Sequence, residues 1–343
     1  MNKTIILTGG GTAGHVIPNL ALIPLLKEHF DKIVYIGSEN GMEREIVANL
    51  EVEYIAIPTV KLVRSLTPRN LLIPFKLFSS IRKTRKILQQ LSPSIIFSKG
   101  GYVSVPVCLA SKNIPIILHE SDYTMGLANK LIYPKCTCLC TNFEDTAVKY
   151  KKGRYTSTPL RDLKRHTNTY DLRLPKPKTL LIIGGSLGAK AINDTAFKIA
   201  DKLCEKINVI HIVGKGNLPK KSLPNNYNVF EYCENMNEIY ARTDFAVSRA
   251  GANVITELRY LNIPMLLIPL GAGSRGDQEQ NSKHFVHKGY ALELRQQEMT
   301  PDVLLKNILA LIQNADKMRF NMSKSKLPNA NKEIVNLILS LCK

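Results

Sequence analysis

Tryptophan is absent from all 343 residues, and aromatic side chains make up only 7% of the chain. No tract interleaves arginine with aromatic rings and no zinc-finger spacing occurs, so the usual means of stacking on or reading nucleic-acid bases is missing. No uncharged apolar run reaches the roughly 18 residues that span a bilayer, which leaves attachment to one membrane face as the expected membrane role. Seven cysteines, an odd number, with no secretory leader before the first apolar run, predict a reducing cytoplasmic setting rather than a disulfide framework. Acid is the scarcer charge: 28 Asp and Glu stand against 47 Lys and Arg, a formal +19. Such an excess implies a polyanionic partner, and with nucleic acid disfavoured, a phosphorylated substrate or an anionic lipid surface is expected.

What is present is a rhythm. A chain of this length exceeds what one core usually fills, so two domains of about 160 residues each are expected. Apolar runs at Thr4–Thr8, Lys32–Ile36, Tyr54–Ile57, Ile95–Ser98, Ile116–His119 and Cys138–Thr141 read as strands. Between them, helical patterns run over Ile17–Glu28, Glu43–Asn49, Leu71–Gln90, Ser104–Ser111 and Gly126–Tyr133. That alternation predicts an α/β fold with a doubly wound parallel sheet. A polar, basic section over 149–178, with Pro159, Pro175 and Pro177, reads as a hinge, after which the rhythm restarts at Thr179–Ile183. The expected domains are 1–163 and 164–327, with a helix at about 328–343 packing back on the first. Each half opens on a glycine turn, Gly9-x-Gly11-x-x-Gly14 in one and Gly184-Gly185-Ser186-Leu187-Gly188 in the other. Ligands sit beyond the carboxyl ends of open parallel sheets, so two facing domains would bring both turns to one cleft.

Several side chains near these turns are suited to chemistry. His15 follows the first glycines at a helix start, where the positive helix end disfavours imidazolium and keeps a general base neutral. A histidine that merely packs the turn fits the same pattern. His119-Glu120 ends a strand at the same edge, and Glu120 is a rival base, an orienting group or a solvated carboxylate. In the second half, Ser248 to Glu257 leaves a strand and opens a helix with accessible amides, and Glu257 is placed to accept both hydroxyls of a ribose. Leu270 to Asn281 is a glycine loop entering a polar helix, with the donors and acceptors that sugar hydroxyls need. Cys136-x-Cys138-x-Cys140 puts three thiols on one strand face without a turn between them, so no metal site is expected.

Gly10-Gly11-Thr12-Ala13-Gly14-His15-Val16-Ile17-Pro18, Lys99-Gly100-Gly101-Tyr102-Val103-Ser104, His119-Glu120, Gly184-Gly185-Ser186-Leu187-Gly188-Ala189 and the Arg249–Glu257 block resemble, in order and in register, the MurG family of bacterial cell-wall N-acetylglucosaminyltransferases. The resemblance implies the GT-B architecture, two Rossmann-like domains facing a cleft. It implies UDP-N-acetylglucosamine held mainly by the second domain and the undecaprenyl-diphospho-N-acetylmuramoyl-pentapeptide acceptor (lipid I) by the first. Carried over residue by residue, it places Thr12, Ala13 and Gly14 near the donor, with Asp122 and Asn129 among the donor contacts. Ser186 and Arg161 fall at the phosphates. The backbone around Cys233 and Arg249 to Asn253 (with Gly251 and Ala252) falls near the uracil, followed by Val254, Ile255 and Thr256, with Glu257 on the ribose. Gln278 and Asn281 fall on the N-acetylglucosamine hydroxyls, and His15 is the proposed base. Three positions depart from the family pattern: Ala13 for Gly, Leu187 for Gln, and Asp122 for Asn, a carboxylate where the family has an amide donor.

The implied reaction is inverting transfer to the C4 hydroxyl of the muramoyl sugar, giving a β-1,4 linkage (lipid II). His15 or Glu120 takes the proton, and amides and Arg161 stabilise the leaving diphosphate without a cofactor. Between Lys61 and Gln90 lie eight basic residues and no acid, interleaved with Leu72, Phe75 and Phe78. With Arg82, Lys83, Arg85 and Lys86 they suit an interfacial helix on anionic lipid, at the cytoplasmic face of the cell membrane, or else a core helix with a solvated basic face. Two competing readings are a nicotinamide oxidoreductase, using the glycine fingerprint with Glu39 on the ribose, and a basic, non-enzymatic membrane or polyanion adaptor.

Overall fold

A computed structural model describes residues 3–48, 50–59, 73–164, 168–185, 188–271 and 276–342. The chain divides into two units, Met1–Arg161 with Pro328–Lys343, and Asp162–Leu327.

The first unit carries strands β1 (Thr4–Thr8), β2 (Lys32–Ser38), β3 (Glu53–Ile57), β4 (Ile95–Ser98), β5 (Ile116–Glu120), β6 (Cys138–Thr141) and β7 (Gly153–Tyr155). Interspersed are helices α1 (Ala13–Leu20), α2 (Ile23–Leu26), α3 (Met42–Ala48), α4 (Ile73–Leu91), α5 (Ser104–Ala110), α6 (Leu127–Ile132) and α7 (Glu144–Ala147). The sheet order is β3-β2-β1-β4-β5-β6-β7, and every pairing is parallel. All five residues of β1 are buried, as a central strand covered on both faces requires. Its side chains alternate between two cores. Ile5 and Leu7 join Tyr35, Phe97 and the α1–α2 side, whereas Ile6 joins Val34, Ile96 and Leu118 on the α4–α5 side.

The second unit carries β8 (Thr179–Ile183), β9 (Asn208–Ile212), β10 (Tyr227–Phe230), β11 (Phe245–Ser248), β12 (Met265–Leu267) and β13 (Ala291–Glu293). Its helices are α8 (Lys190–Lys198), α9 (Ala200–Cys204), α10 (Met236–Ala241), α11 (Ala252–Tyr260), α12 (Asp277–His287) and α13 (Pro301–Lys324). This sheet runs β10-β9-β8-β11-β12-β13, again parallel throughout. The last helix, α14 (Ala330–Leu341), belongs to the first unit, where Ile334, Val335 and Ile338 fill the core beside Ile5 and Leu7.

Some sequence expectations are corrected. The helix expected over Ile17–Glu28 starts at Ala13 and breaks after Leu20, because Pro24 has no N–H to give to the Leu20 carbonyl one turn back. The hinge section contains β7, and β13 was not expected either; both are three-residue edge strands, too short to show alternation. The three cysteines do not share a face. Cys136 precedes β6 and packs in the α4–α5 core, while Cys138 and Cys140 lie in the opposite one.

Candidate active site

At the end of β1 the chain enters the first glycine turn, which is packed to backbone contact. A Cβ on Gly10 would stand 2.7 Å from the Glu43 carboxyl carbon, and one on Gly101 2.3 Å from the Gly10 carbonyl oxygen. Gly11 and Gly101 hold φ of +85° and +81°, which a β-carbon disfavours. Two buried side chains brace the turn from below. The Tyr35 hydroxyl donates to the Gly9 carbonyl at 2.7 Å, and Asn19 Nδ2 donates to the Thr8 carbonyl at 3.1 Å.

The turn already accommodates an anion, and it is the chain's own. Glu43, fully buried at the start of α3, accepts the Gly11 amide at 3.3 Å through one oxygen. Its other oxygen accepts the Ser38 amide at 3.0 Å and, in a short contact, the Ser38 hydroxyl. A dinucleotide pyrophosphate would have to displace this carboxylate. Glu39, the ribose partner of the oxidoreductase reading, is exposed and 3.6 Å from Lys83. The glycine fingerprint is therefore not a nicotinamide site.

His15 sits in the first turn of α1. Its Nδ1 lies 3.1 Å from both the Gly10 carbonyl and the Thr12 hydroxyl. A carbonyl can only accept, so the proton is on Nδ1 and the basic lone pair on Nε2. Thr12 is exposed, and Ala13, Gly14 and His15 are half-buried.

Glu120 is not a solvated loop carboxylate. It is 6% exposed, and its oxygens accept the Asp122 amide at 3.0 Å, the Gly126 amide at 2.8 Å and Asn129 Nδ2 at 2.9 Å. Burial is the largest effect and raises its pKa; the hydrogen bonds oppose it. With three N–H donors on its two oxygens, Glu120 organises the 121–126 loop. Asn129, buried beneath it, also donates to the His119 carbonyl at 3.1 Å. Asp122 and Arg161 are half-buried, and Arg161 ends the long segment of the first unit.

In the second unit, β8 leads into Gly184-Gly185; Ser186 and Leu187 lie outside the described residues. Beyond β11, Gly251 caps α11 with nothing within 4 Å of where its Cβ would be. Asn253 and Val254 lie on the partly exposed side of that helix, and Ala252, Ile255 and Thr256 on the buried side. Glu257, 9% exposed, accepts from the Tyr240 hydroxyl at 2.6 Å. Tyr240 carries no motif, and only its place on α10 opposite α11 shows its relation to Glu257.

The Arg249 side chain turns into the protein. It donates to the Ile268 carbonyl at 3.0 Å and to Gln296 Oε1 at 2.5 Å, so it fixes the end of β12. Cys233 is buried, and desolvation raises its thiol pKa to about 11. Gln278 accepts the Leu270 amide at 2.9 Å, which ties the first turn of α12 to the residues after β12. Asn281 is fully buried, with Nδ2 on the Ala250 carbonyl at 3.0 Å, and so ties α12 to the turn before α11.

Helix α4 reverses the usual burial. Ser80, Thr84 and Leu88 face inward, while Phe75 and Phe78 are 75% and 68% exposed. Spacings of three, four and four residues put Phe78, Arg82 and Lys86 on the outer face with Phe75. Lys83 is also exposed and Arg85 half-buried. Leu72 lies outside the described residues. No helix among the described residues is long and apolar enough to cross a membrane, and none of their His, Cys, Asp and Glu side chains group to hold a metal.

Residues 5–141 match the glycosyltransferase family 28 N-terminal domain and residues 179–338 the family's C-terminal domain. The chain is 45% identical over 350 residues to a protein of Clostridium botulinum (strain Langeland), covering 98% of each. It is 43% identical over 348 residues to one of Clostridium perfringens (strain SM101), covering 97% of each. Both carry the name UDP-N-acetylglucosamine--N-acetylmuramyl-(pentapeptide) pyrophosphoryl-undecaprenol N-acetylglucosamine transferase. The crystal structure of Acinetobacter baumannii MurG superposes with a TM-score of 0.80 at 26% identity, covering 98% of this chain and 99% of that one. With two parallel-sheet α/β domains of the GT-B type and this similarity from end to end, the chain belongs to glycosyltransferase family 28, in the MurG family.

Proposed function

We propose that the protein transfers N-acetylglucosamine from UDP-N-acetylglucosamine to undecaprenyl-diphospho-N-acetylmuramoyl-pentapeptide. The observation that carries this is the 45% identity, over 98% of both chains, to a transferase named for that donor and acceptor. The local geometry adds the chemistry. His15 Nε2 takes the proton of the C4 hydroxyl, and the oxygen attacks C1 of N-acetylglucosamine from the face opposite the diphosphate. The C1–O bond breaks, UDP leaves with the bonding pair, and the configuration at C1 inverts to β-1,4. Nδ1 stays protonated on the Gly10 carbonyl, which holds the ring in the tautomer a base needs.

On the donor side, the backbone at the start of α11 takes the uracil end, and Glu257, aligned by Tyr240, takes the ribose hydroxyls. Gln278, in the first turn of α12, meets the amino sugar, and Asn281 acts through the Ala250 carbonyl it holds. The leaving diphosphate falls to Arg161 and Ser186, since the first glycine turn is already closed by Glu43. Glu120 is assigned to loop organisation and His15 to proton transfer.

Peripheral attachment to anionic lipid, at the cytoplasmic face, is the second part of the proposal. The outer face of α4 supports it, because exposed Phe75 and Phe78 gain nothing from water and the cations beside them gain about 1 kcal/mol each near an anionic surface. The experiment is transfer of labelled N-acetylglucosamine to the lipid-linked acceptor, with UDP release measured in parallel. One UDP per disaccharide is expected; donor hydrolysis indifferent to acceptor would reject the proposal.

A further inference from the structure

Lys99, directly after β4, is 1% exposed. Its amide donates to the Thr8 carbonyl at 2.9 Å, which ties it to the end of β1. Its Nζ reaches His119 Nδ1 at 2.8 Å and Thr158 Oγ1 at 3.1 Å, and makes a short contact with the Ser121 hydroxyl. All three partners accept at once. His119 Nε2 donates to the Ser157 carbonyl at 2.8 Å, so the lone pair of that ring is on Nδ1. Burial and the nearby ammonium keep the imidazole neutral. An ammonium has three N–H donors and no acceptor, which matches the three partners as they stand; a neutral amine would need one of the two hydroxyls to turn and donate into its lone pair. Ser157 holds φ of +61°, a conformation uncommon outside glycine, and that twist turns its carbonyl to His119 and the next hydroxyl to Lys99.

The two residues after Lys99 back the proposed base. Gly101 is pressed against the Gly10 carbonyl, which accepts from His15 Nδ1, and a Cβ there would lie 3.1 Å from that same nitrogen. Gly100 abuts Asn129, which holds Glu120. On its other side Lys99 holds Ser121, the first residue of the loop that carries Asp122. The ionisable groups facing the ammonium are His119 and Glu120 on β5, Asp122 in the loop and Cys140 on β6. Burial lowers its pKa to about 7, while Glu120, Asp122 and Cys140 favour the charged form.

We propose that Lys99 is a positioning residue for the transfer reaction: its ammonium, facing the carboxylates of Glu120 and Asp122, locks the Gly100–Gly101 turn behind His15 and the 121–126 loop into one arrangement. It touches no substrate. Asp122, the departure from the family's amide, adds a second carboxylate to that of Glu120 in favouring the buried ammonium. The proposal rests on the transferase reading for its kinetic readout.

A double-mutant cycle on the full-length protein tests it. At about pH 6, where the ammonium dominates, Lys99→Met lowers kcat about tenfold and leaves KM for UDP-N-acetylglucosamine within about threefold. In an Asp122→Asn background the same substitution costs about threefold or less, because the uncompensated carboxylate is gone. The wild-type kcat falls as pH rises through the Lys99 titration, and the Lys99→Met variant lacks that limb. Lys99→Gln, which keeps two N–H donors without the charge, takes its place in the cycle if the Met variant does not fold. Equal losses in both backgrounds, or an alkaline limb unchanged in the Lys99 variants, overturn the proposal. If the wild type transfers nothing, the functional reading fails instead. The cycle is then read from thermal midpoints, where a smaller loss in the Asp122→Asn background supports the pair and an equal loss rejects it.

Discussion

The Gly11 amide donates to a carboxylate 32 positions later in the chain, Glu43, at 3.3 Å, so the first glycine turn is closed by an internal anion. That carboxylate joins the turn to β2 through Ser38, and both its oxygens are in use. Glu43→Gln puts an amide NH₂ where a second acceptor stood, facing an N–H. Leaving a buried donor unserved costs about 1–3 kcal/mol, so the unfolding free energy is expected to fall by that amount, read as a lower urea midpoint at unchanged slope. A variant as stable as wild type would mean the turn holds its shape without the carboxylate.

His15→Ala is expected to reduce kcat by about 10²- to 10⁴-fold, the span over which a positioned general base acts. KM for UDP-N-acetylglucosamine should stay within a small factor, because the ring meets the acceptor hydroxyl. Steady-state kinetics with both substrates varied separate the two effects. Near-normal turnover would place the base elsewhere.

Tyr240→Phe removes the hydroxyl that donates to Glu257 at 2.6 Å. A hydrogen bond to a charged group contributes about 1.5–3 kcal/mol, so UDP binding measured by calorimetry should weaken roughly tenfold or more. Because Tyr240 meets no reacting atom, kcat at saturating donor should change little. Unaltered UDP affinity would show that Glu257 is aligned by its own helix.

Replacing Arg82, Lys83 and Lys86 with glutamate reverses charge on the outer part of α4 and touches no core side chain. Binding to vesicles containing anionic lipid is expected to drop sharply, and binding to neutral vesicles to stay low throughout. Sedimentation equal to wild type on anionic vesicles would leave the exposed Phe75 and Phe78 without that explanation.

Two buried groups set opposite ends of the stability–pH curve. His211, held by Tyr227 and Asn193, has its pKa lowered to about 3 by burial. The unfolded chain binds that proton from about 6.5 downward, so stability falls as pH drops through this window, by up to about 1.4 kcal/mol per unit per proton. Lys99, lowered from 10.5 to about 7, makes the unfolded chain the better proton binder between those values, so its contribution to stability rises with pH there. Activity limited by the Lys99 ammonium moves the other way. Denaturation followed across pH in wild type and Lys99→Met checks the sign: the variant should lose the alkaline rise.

The strands were legible where burial on both faces makes a continuous apolar run, as in Thr4–Thr8 and Thr179–Ile183, and the glycine turns where positive φ demands glycine. The edge strands β7 and β13 were not, because three residues cannot display a period. That His15 stands at a helix start was legible from its place after the glycines. Glu43, Lys99 and Tyr240 were not, since a charged or hydroxyl side chain on an amphipathic element reads as solvated until its distant partners are known. The same blindness affected Arg249 and Asn281, whose polar ends turn inward to carbonyls at Ile268 and Ala250. Exposure of Phe75 and Phe78 fits the interfacial-helix alternative, whereas burial of Ser80 and Thr84 on the same helix ran against composition.

The most direct measurement is transfer of labelled N-acetylglucosamine from its UDP donor to an undecaprenyl-linked muramoyl-pentapeptide by the purified full-length protein. The disaccharide should form with a β-1,4 linkage and one UDP released per bond, and NADH should not bind. Absence of a glycosylated lipid product alongside tight nicotinamide binding would contradict the account.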